Sequence, residues 1–157
     1  VGILDGGWQR WTKGGGATST EIPDVKPGDF DVVFQTDRLM TADTLQAQNR
    51  SGDAQIVDAR SNREVAAGTV PGAIHLEWVD LKNADGTLKT PEELKRIFAD
   101  KNLSPQKTAV TYCQSGGRAS LNAFALELAG FEKVKNYYCG WQQWGDGKHP
   151  VKKPGKN

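Results

Sequence analysis

The sequence predicts an α/β fold: a central, mainly parallel sheet flanked by helices. Three observations carry this. Four short apolar runs read as buried strands: Gln55-Ile56-Val57-Asp58, Ala73-Ile74-His75-Leu76, Thr108 to Tyr112 and Val134 to Tyr137. Helical signals stand between them, and strands alternating with helices favour parallel pairing. The 157 residues, 37% of them hydrophobic, are enough for one core without disulfide staples.

The elements follow in order. Thr41 to Gln48 reads as a short helix, and Arg63 to Ala67 as a helical turn. Thr90-Pro91-Glu92-Glu93 is a strong helix start, with Thr as N-cap, Pro at the first position and Glu at the third. That helix is expected to run to about Asp100. After the strand ending at Tyr112 comes an amphipathic segment, Ala119 to Ala129. There Leu121, Phe124, Ala125 and Leu128 fall on one apolar stripe, and Gly130 supplies the stop.

The two ends of the chain echo each other. Val1 to Trp11 aligns without a gap on Val134 to Trp144, with Val, Gly, Trp, Gln and Trp at matching positions. The expectation is that residues 1–11 are the closing fragment of a preceding domain of the same type. Residues 12–35 read as an interdomain linker, flexible at Gly14-Gly15-Gly16 and punctuated by Pro23 and Pro27-Gly28. Residues 36–157 then form the domain proper.

The most informative stretch is Cys113-Gln114-Ser115-Gly116-Gly117-Arg118. It lies between a strand and a helix, so its cysteine stands at a strand's C-terminal end, where open α/β sheets place their sites. Gly116 and Gly117 are expected to take positive φ and turn successive N–H groups inward. A helix N-terminus and a nearby cation such as Arg118 favour the thiolate, which is the nucleophilic form. The alternative is a buried structural cysteine.

Composition excludes several classes. A net charge of +1 gives no electrostatic case for nucleic acid or an anionic membrane. No apolar run is long enough to span a bilayer. Two cysteines are too few for a disulfide scaffold, and His75 and His149 have no metal-ligand spacing. No signal peptide is visible; a soluble cytoplasmic or periplasmic protein is expected.

Four segments together resemble the rhodanese (sulfurtransferase) family, over about Thr41 to Asp146. Val57-Asp58-Ala59-Arg60 resembles its Asp-x-Arg. Arg63-Glu64 with Gly68-Thr69-Val70-Pro71-Gly72-Ala73-Ile74-His75 resembles its first signature, although Val65 replaces an aromatic and Thr69 a common histidine. Cys113 to Arg118 resembles the active-site loop, and Val134 to Trp144 the closing signature. There Tyr138 replaces an acid, Cys139 a glycine and Gln143 a glutamate.

The resemblance implies a compact α/β domain that is the C-terminal, catalytic copy of a tandem enzyme. Its preceding rhodanese-like domain would be a partner. It also implies double displacement without metal or cofactor. Cys113 takes the outer sulfur of thiosulfate or a similar donor as a persulfide, sulfite leaves, and cyanide or a thiol removes the sulfur. Loop amides of Gln114, Ser115, Gly116 and Gly117 stabilise the charge. Phosphatase-type relatives have a longer loop between cysteine and arginine, so the spacing here argues for sulfur. Arg118 is either a donor contact or bound to a carboxylate or loop carbonyl. Arg60 is either a substrate or loop contact or ion-paired with Asp58 or Glu64. Trp78 and Trp141 are expected at the pocket or in the core, Asp58 and Glu64 in structural roles, and His75 as a hydrogen-bonded strand residue. Cys139 is either inert or a second thiol that exchanges with Cys113. The competing reading is a persulfide carrier or sulfur-relay module with low turnover of its own.

Overall fold

A computed structural model describes residues 2–153. Val1, the first residue of the expected closing fragment, and residues 154–157 lie outside the described residues. The chain forms α1 (Gly7–Lys13), α2 (Ala42–Ser51), β1 (Ala54–Asp58), α3 (Asn62–Ala67), β2 (Ile74–His75), α4 (Pro91–Asp100), β3 (Thr108–Tyr112), α5 (Gly117–Leu128), β4 (Val134–Tyr137) and α6 (Gly140–Trp144). The sheet is wholly parallel, in the order β2-β1-β3-β4.

The register sets the site. Asp58 pairs with both His75 and Tyr112, and Tyr112 with Tyr137. The four C-terminal strand residues therefore form one row. The connections that leave them, at Ala59, Leu76, Cys113 and Tyr138, emerge side by side along one edge.

Alternation divides the core into two layers. Val57 and Ala109 face Leu94, Phe98, Leu126 and Phe131. Their neighbours Ile56 and Val110 face Leu45, Tyr137 and Trp144. The helices are capped as their sequences dictate. Thr41 accepts from the Thr44 N–H at the start of α2. Ser61 and Thr90 form full capping boxes with Glu64 and Glu93.

Two expectations need correction. The stripe predicted for α5 is displaced. Its buried residues are Ala119, Asn122, Ala125 and Leu126, while Leu128 is 40% exposed. The cause is a buried polar group: the Asn122 amide donates to the Leu76 carbonyl at 2.9 Å and claims the core-facing position. Phe124 and Leu128 instead line a cleft of about 560 Å³ with Ile3 and the stretch from Leu88 to Pro91. The strand predicted from Ala73 to Leu76 is only Ile74–His75, because its ladder is short against the end of β1.

The N-terminal segment lies against this cleft. The Leu88 N–H donates to the Asp5 carboxylate at 2.9 Å, and Arg10 stands 3.7 Å from Asp85. The following stretch carries Ile22, Val25, Phe30, Val32, Val33 and Phe34 exposed.

Candidate active site

Cys113 follows β3 directly and is 1% exposed. It packs with Ala59, from the β1 connection, and Ala119, on the first turn of α5; Trp78 closes on the same cluster. Both cysteines are free thiols.

The loop that starts at Cys113 is oriented by its carbonyls. The N–H groups of Trp141 and Gln142, at the start of α6, donate to the carbonyls of Cys113 and Gln114 at 2.7 and 3.1 Å. The Gly116 carbonyl accepts from the Ser120 N–H, the Ser120 hydroxyl and the Asn136 amide. In a trans peptide the C=O and the next N–H point in opposite directions. Fixing these carbonyls outward therefore turns the N–H groups of Gln114, Ser115 and Gly117 the other way. Among the described residues, no protein acceptor takes the amide of any residue from Gln114 to Ala119. The loop presents a run of unpaired donors at the start of a helix, a natural anion cradle.

Two glycines make this possible. Gly140 has φ +58°, and a Cβ there would lie 2.3 Å from the Cys113 carbonyl and 2.8 Å from that of Gln114. Gly116 has φ +85°, and a Cβ there would strike the Tyr138 ring at 2.6 Å. Gly117, expected to share the positive φ, is instead the first residue of α5 with open space around it. The turn needs only Gly116.

Both arginines are paired. Arg60 is 1% exposed. Its guanidinium donates to Asp58 at 2.6 and 2.9 Å and to the Gly68 carbonyl at 2.7 Å. It lies 4.1 Å from the Trp141 ring centre, a cation–π contact in a dry setting. Of the alternatives for Arg60, the structure shows the ion pair with Asp58. Burial opposes its charge, but Asp58 and Tyr112 outweigh this and raise its pKa. Tyr112 and Thr69 also donate to Asp58, which satisfies the buried carboxylate. Burial, reinforced by Asp58, holds Tyr112 neutral.

Arg118 donates from both terminal nitrogens to the two oxygens of Glu64, at 2.7 and 2.8 Å. These bonds are the main force holding Glu64 down at about 2, with Ser61 adding to it. The same bonds raise Arg118, and the nearby Cys113 sulfur contributes in the same direction.

The remaining expected residues take these places. Trp141 caps the Arg60 guanidinium, and the His75 Nε2 is 2.7 Å from the Arg60 carbonyl. Cys139 is exposed at the start of α6. It shares a groove of about 400 Å³ with Ser115, Tyr138, Gln142 and Gln143. Tyr137 donates to Gln143 at 2.8 Å and is pushed up to about 12, first by burial and then by Cys139 and Asp146.

Sequence reasoning missed Gly140 and the Thr69–Tyr112 contribution to the buried network. The repeat carried a signal for the first, since Gly140 is one of the five residues shared with the N-terminal segment.

With this geometry in place, comparison with known proteins is decisive on family. The model of the rhodanese-like domain matches residues 41–146. The chain belongs to the rhodanese family. Similar curated proteins include the sulfur carrier protein TtuD of Thermus thermophilus, 31% identical over 93% of this chain and 59% of that protein. The thiosulfate sulfurtransferase of Corynebacterium glutamicum is 32% identical, over 93% of this chain and 54% of that protein. A probable 3-mercaptopyruvate sulfurtransferase of Pseudomonas aeruginosa is 35% identical, over 96% and 57%. The chain thus spans just over half the length of these rhodanese relatives. Among solved structures, the anaerobic ergothioneine biosynthesis enzyme of Chlorobium limicola superposes with a TM-score of 0.85 at 27% identity. That match covers 98% of this rhodanese chain and 41% of the enzyme. A related structure, of EanB as a cysteine persulfide with ergothioneine, has a TM-score of 0.84. Among the described residues, no helix is long and apolar enough to cross a membrane.

Proposed function

We propose that this rhodanese domain is a sulfurtransferase that carries sulfane sulfur on Cys113. The carrying observation is the run of unpaired amides from Gln114 to Ala119 in the loop that begins at that thiol. The Cys113 thiolate attacks the outer sulfur of thiosulfate or a similar donor. A bond forms between the two sulfurs, the bond to the sulfonate sulfur breaks, and sulfite leaves with its electron pair. Cyanide or a thiolate then takes the outer sulfur and returns Cys113 as thiolate. Each step is one displacement at sulfur, so no external oxidant is needed. The amides stabilise negative charge on the donor and on the persulfide without reorganising. The persulfide form of the EanB relative supports this chemistry.

The deciding experiment is an intact mass after incubation with thiosulfate, for the wild type and Cys113→Ser. The expected result is a gain of one sulfur in the wild type alone. No gain in the wild type overturns the proposal.

A second reading is favoured by the sulfur carrier name of the Thermus relative. As a carrier, the domain loads sulfur and passes it to a partner. Steady-state turnover with thiosulfate and cyanide separates the two, since a carrier gains the sulfur but turns over slowly. The tandem arrangement, with a preceding rhodanese-like domain as partner, is part of the proposal. It is supported by the repeat between Val1–Trp11 and Val134–Trp144.

A further inference from the structure

We propose that Glu64 governs how this site receives anionic donors: it occupies the forked end of Arg118, leaving the donor's anion to the loop amides. This rests on the sulfurtransferase reading above. A guanidinium grips a sulfonate or carboxylate best through two parallel N–H groups. In Arg118 such a pair is engaged by the two Glu64 oxygens, at 2.7 and 2.8 Å. The other candidate arginine, Arg60, is engaged by Asp58 and the Gly68 carbonyl. Each cation is matched by one carboxylate, so the two pairs carry no net charge.

Glu64 is also anchored independently of Arg118. The Ser61 N–H and hydroxyl donate to its Oε2 at 3.1 and 2.7 Å. The carboxylate is thus fixed at the start of α3, directly after the connection that holds Arg60. It does not swing away as a loose surface side chain would. The Glu64 and Arg118 side chains are 30% and 29% exposed, whereas Cys113 is 1% exposed. The pair is therefore more open to solvent than the thiol. The Glu64 charge is held at the loop, because Arg118, its partner, closes the run that starts at Cys113. Charge at such a rim acts on encounter and affinity rather than on chemistry. Glu64 acts through Arg118 and is a positioning residue.

The test is Glu64→Gln, because glutamine keeps the capping box while removing the charge. The KM for thiosulfate should fall about two- to fivefold, with kcat within about twofold, and high salt should shrink the difference. In a Cys113→Ser background, calorimetric titration with sulfite should tighten by the same factor. Adding Arg118→Gln to Glu64→Gln should abolish that gain in sulfite binding. If Glu64→Gln unfolds, Ser61→Ala, which loosens the same carboxylate, should shift sulfite binding in the same direction by less. An unchanged or raised KM with unchanged sulfite binding overturns the inference. If the wild type takes no sulfur onto Cys113, the sulfurtransferase reading fails instead. The sulfite titration needs no turnover and still judges Glu64.

Discussion

The two tryptophan-bearing ends of the chain share a local sequence and a local shape, yet only one of them organises a site. Gly7 and Gly140 have φ values of +60° and +58°, and each opens a helix. A Cβ added at Gly7 would meet nothing within 4 Å, whereas one at Gly140 would be driven into the carbonyls of the Cys113 loop. Trp8 and Trp11 are 64% and 42% exposed. Their counterparts are not: Trp141 caps Arg60, and Trp144 is fully buried in the core. Trp144 also donates to the Pro150 carbonyl and stacks on His149. The shared residues specify a turn and a helix. The sheet edge beneath α6 gives that helix something to hold.

This contrast can be broken by matched substitutions. The largest effect is expected at the glycines. Gly140→Ala places a Cβ inside the Cys113 loop and should lower kcat/KM at least about a hundredfold, as misplacement by about an ångström does. Gly7→Ala meets only the cost of positive φ, about 1–2 kcal/mol, and should leave kcat/KM untouched. Sulfur-transfer assays and thermal unfolding of both variants check this. If the two lose activity equally, the role assigned to Gly140 is wrong.

The tryptophans come next. Trp144→Ala should cost about 3–5 kcal/mol in denaturant unfolding, the range for deleting a buried aromatic. Trp11→Ala should stay within about 0.5 kcal/mol, as exposed substitutions do. Equal costs would mean that the N-terminal segment is packed as deeply as α6.

The smallest effect is expected where the repeats diverge. Cys139 occupies the position of Gly6, but its φ is −65° where Gly6 has +86°. Cys139 therefore needs no glycine. Cys139→Ser should keep thiosulfate:cyanide turnover within about twofold, in line with an exposed substitution. It should also remove the exposed thiol, so that alkylation of the folded protein falls. A large fall in the acceptor step, or a Cys113–Cys139 link under oxidant, would instead make Cys139 a working partner of Cys113.

Much of the fold was legible because its signals are local. Thr90-Pro91-Glu92-Glu93 carries its own cap, and the apolar runs ending at Asp58, Tyr112 and Tyr137 carry their own strands. The setting of Cys113 was legible for the same reason, since strand, glycine turn and helix are contiguous around it. What escaped was set by distant contacts. The face of α5 was misjudged because Asn122 reaches the Leu76 carbonyl, a partner 46 residues away in sequence. The partners of Arg60 and Arg118 stayed open because charge alone does not say which carboxylate lies nearer. The roles of Gly140 and Asn136 depend on carbonyls of a loop at least twenty positions earlier.

The peptide planes of the Cys113 loop have a last consequence. One side of the loop, its carbonyls, binds α6 and Asn136; the other, its amides, has no protein acceptor among the described residues and is what the proposed function uses. Holding the loop and running its chemistry therefore draw on different atoms of the same few peptide units. Trp141 and Gln142 reach the loop through their N–H groups, so the exposed Cys139 side chain is free to vary, whereas the Tyr138 ring lies against Gly116 and Gln143 accepts from Tyr137. A chain built this way can change the exposed surface at Cys139 without rebuilding the run of amides. Cys139 is where such variation is expected to gather.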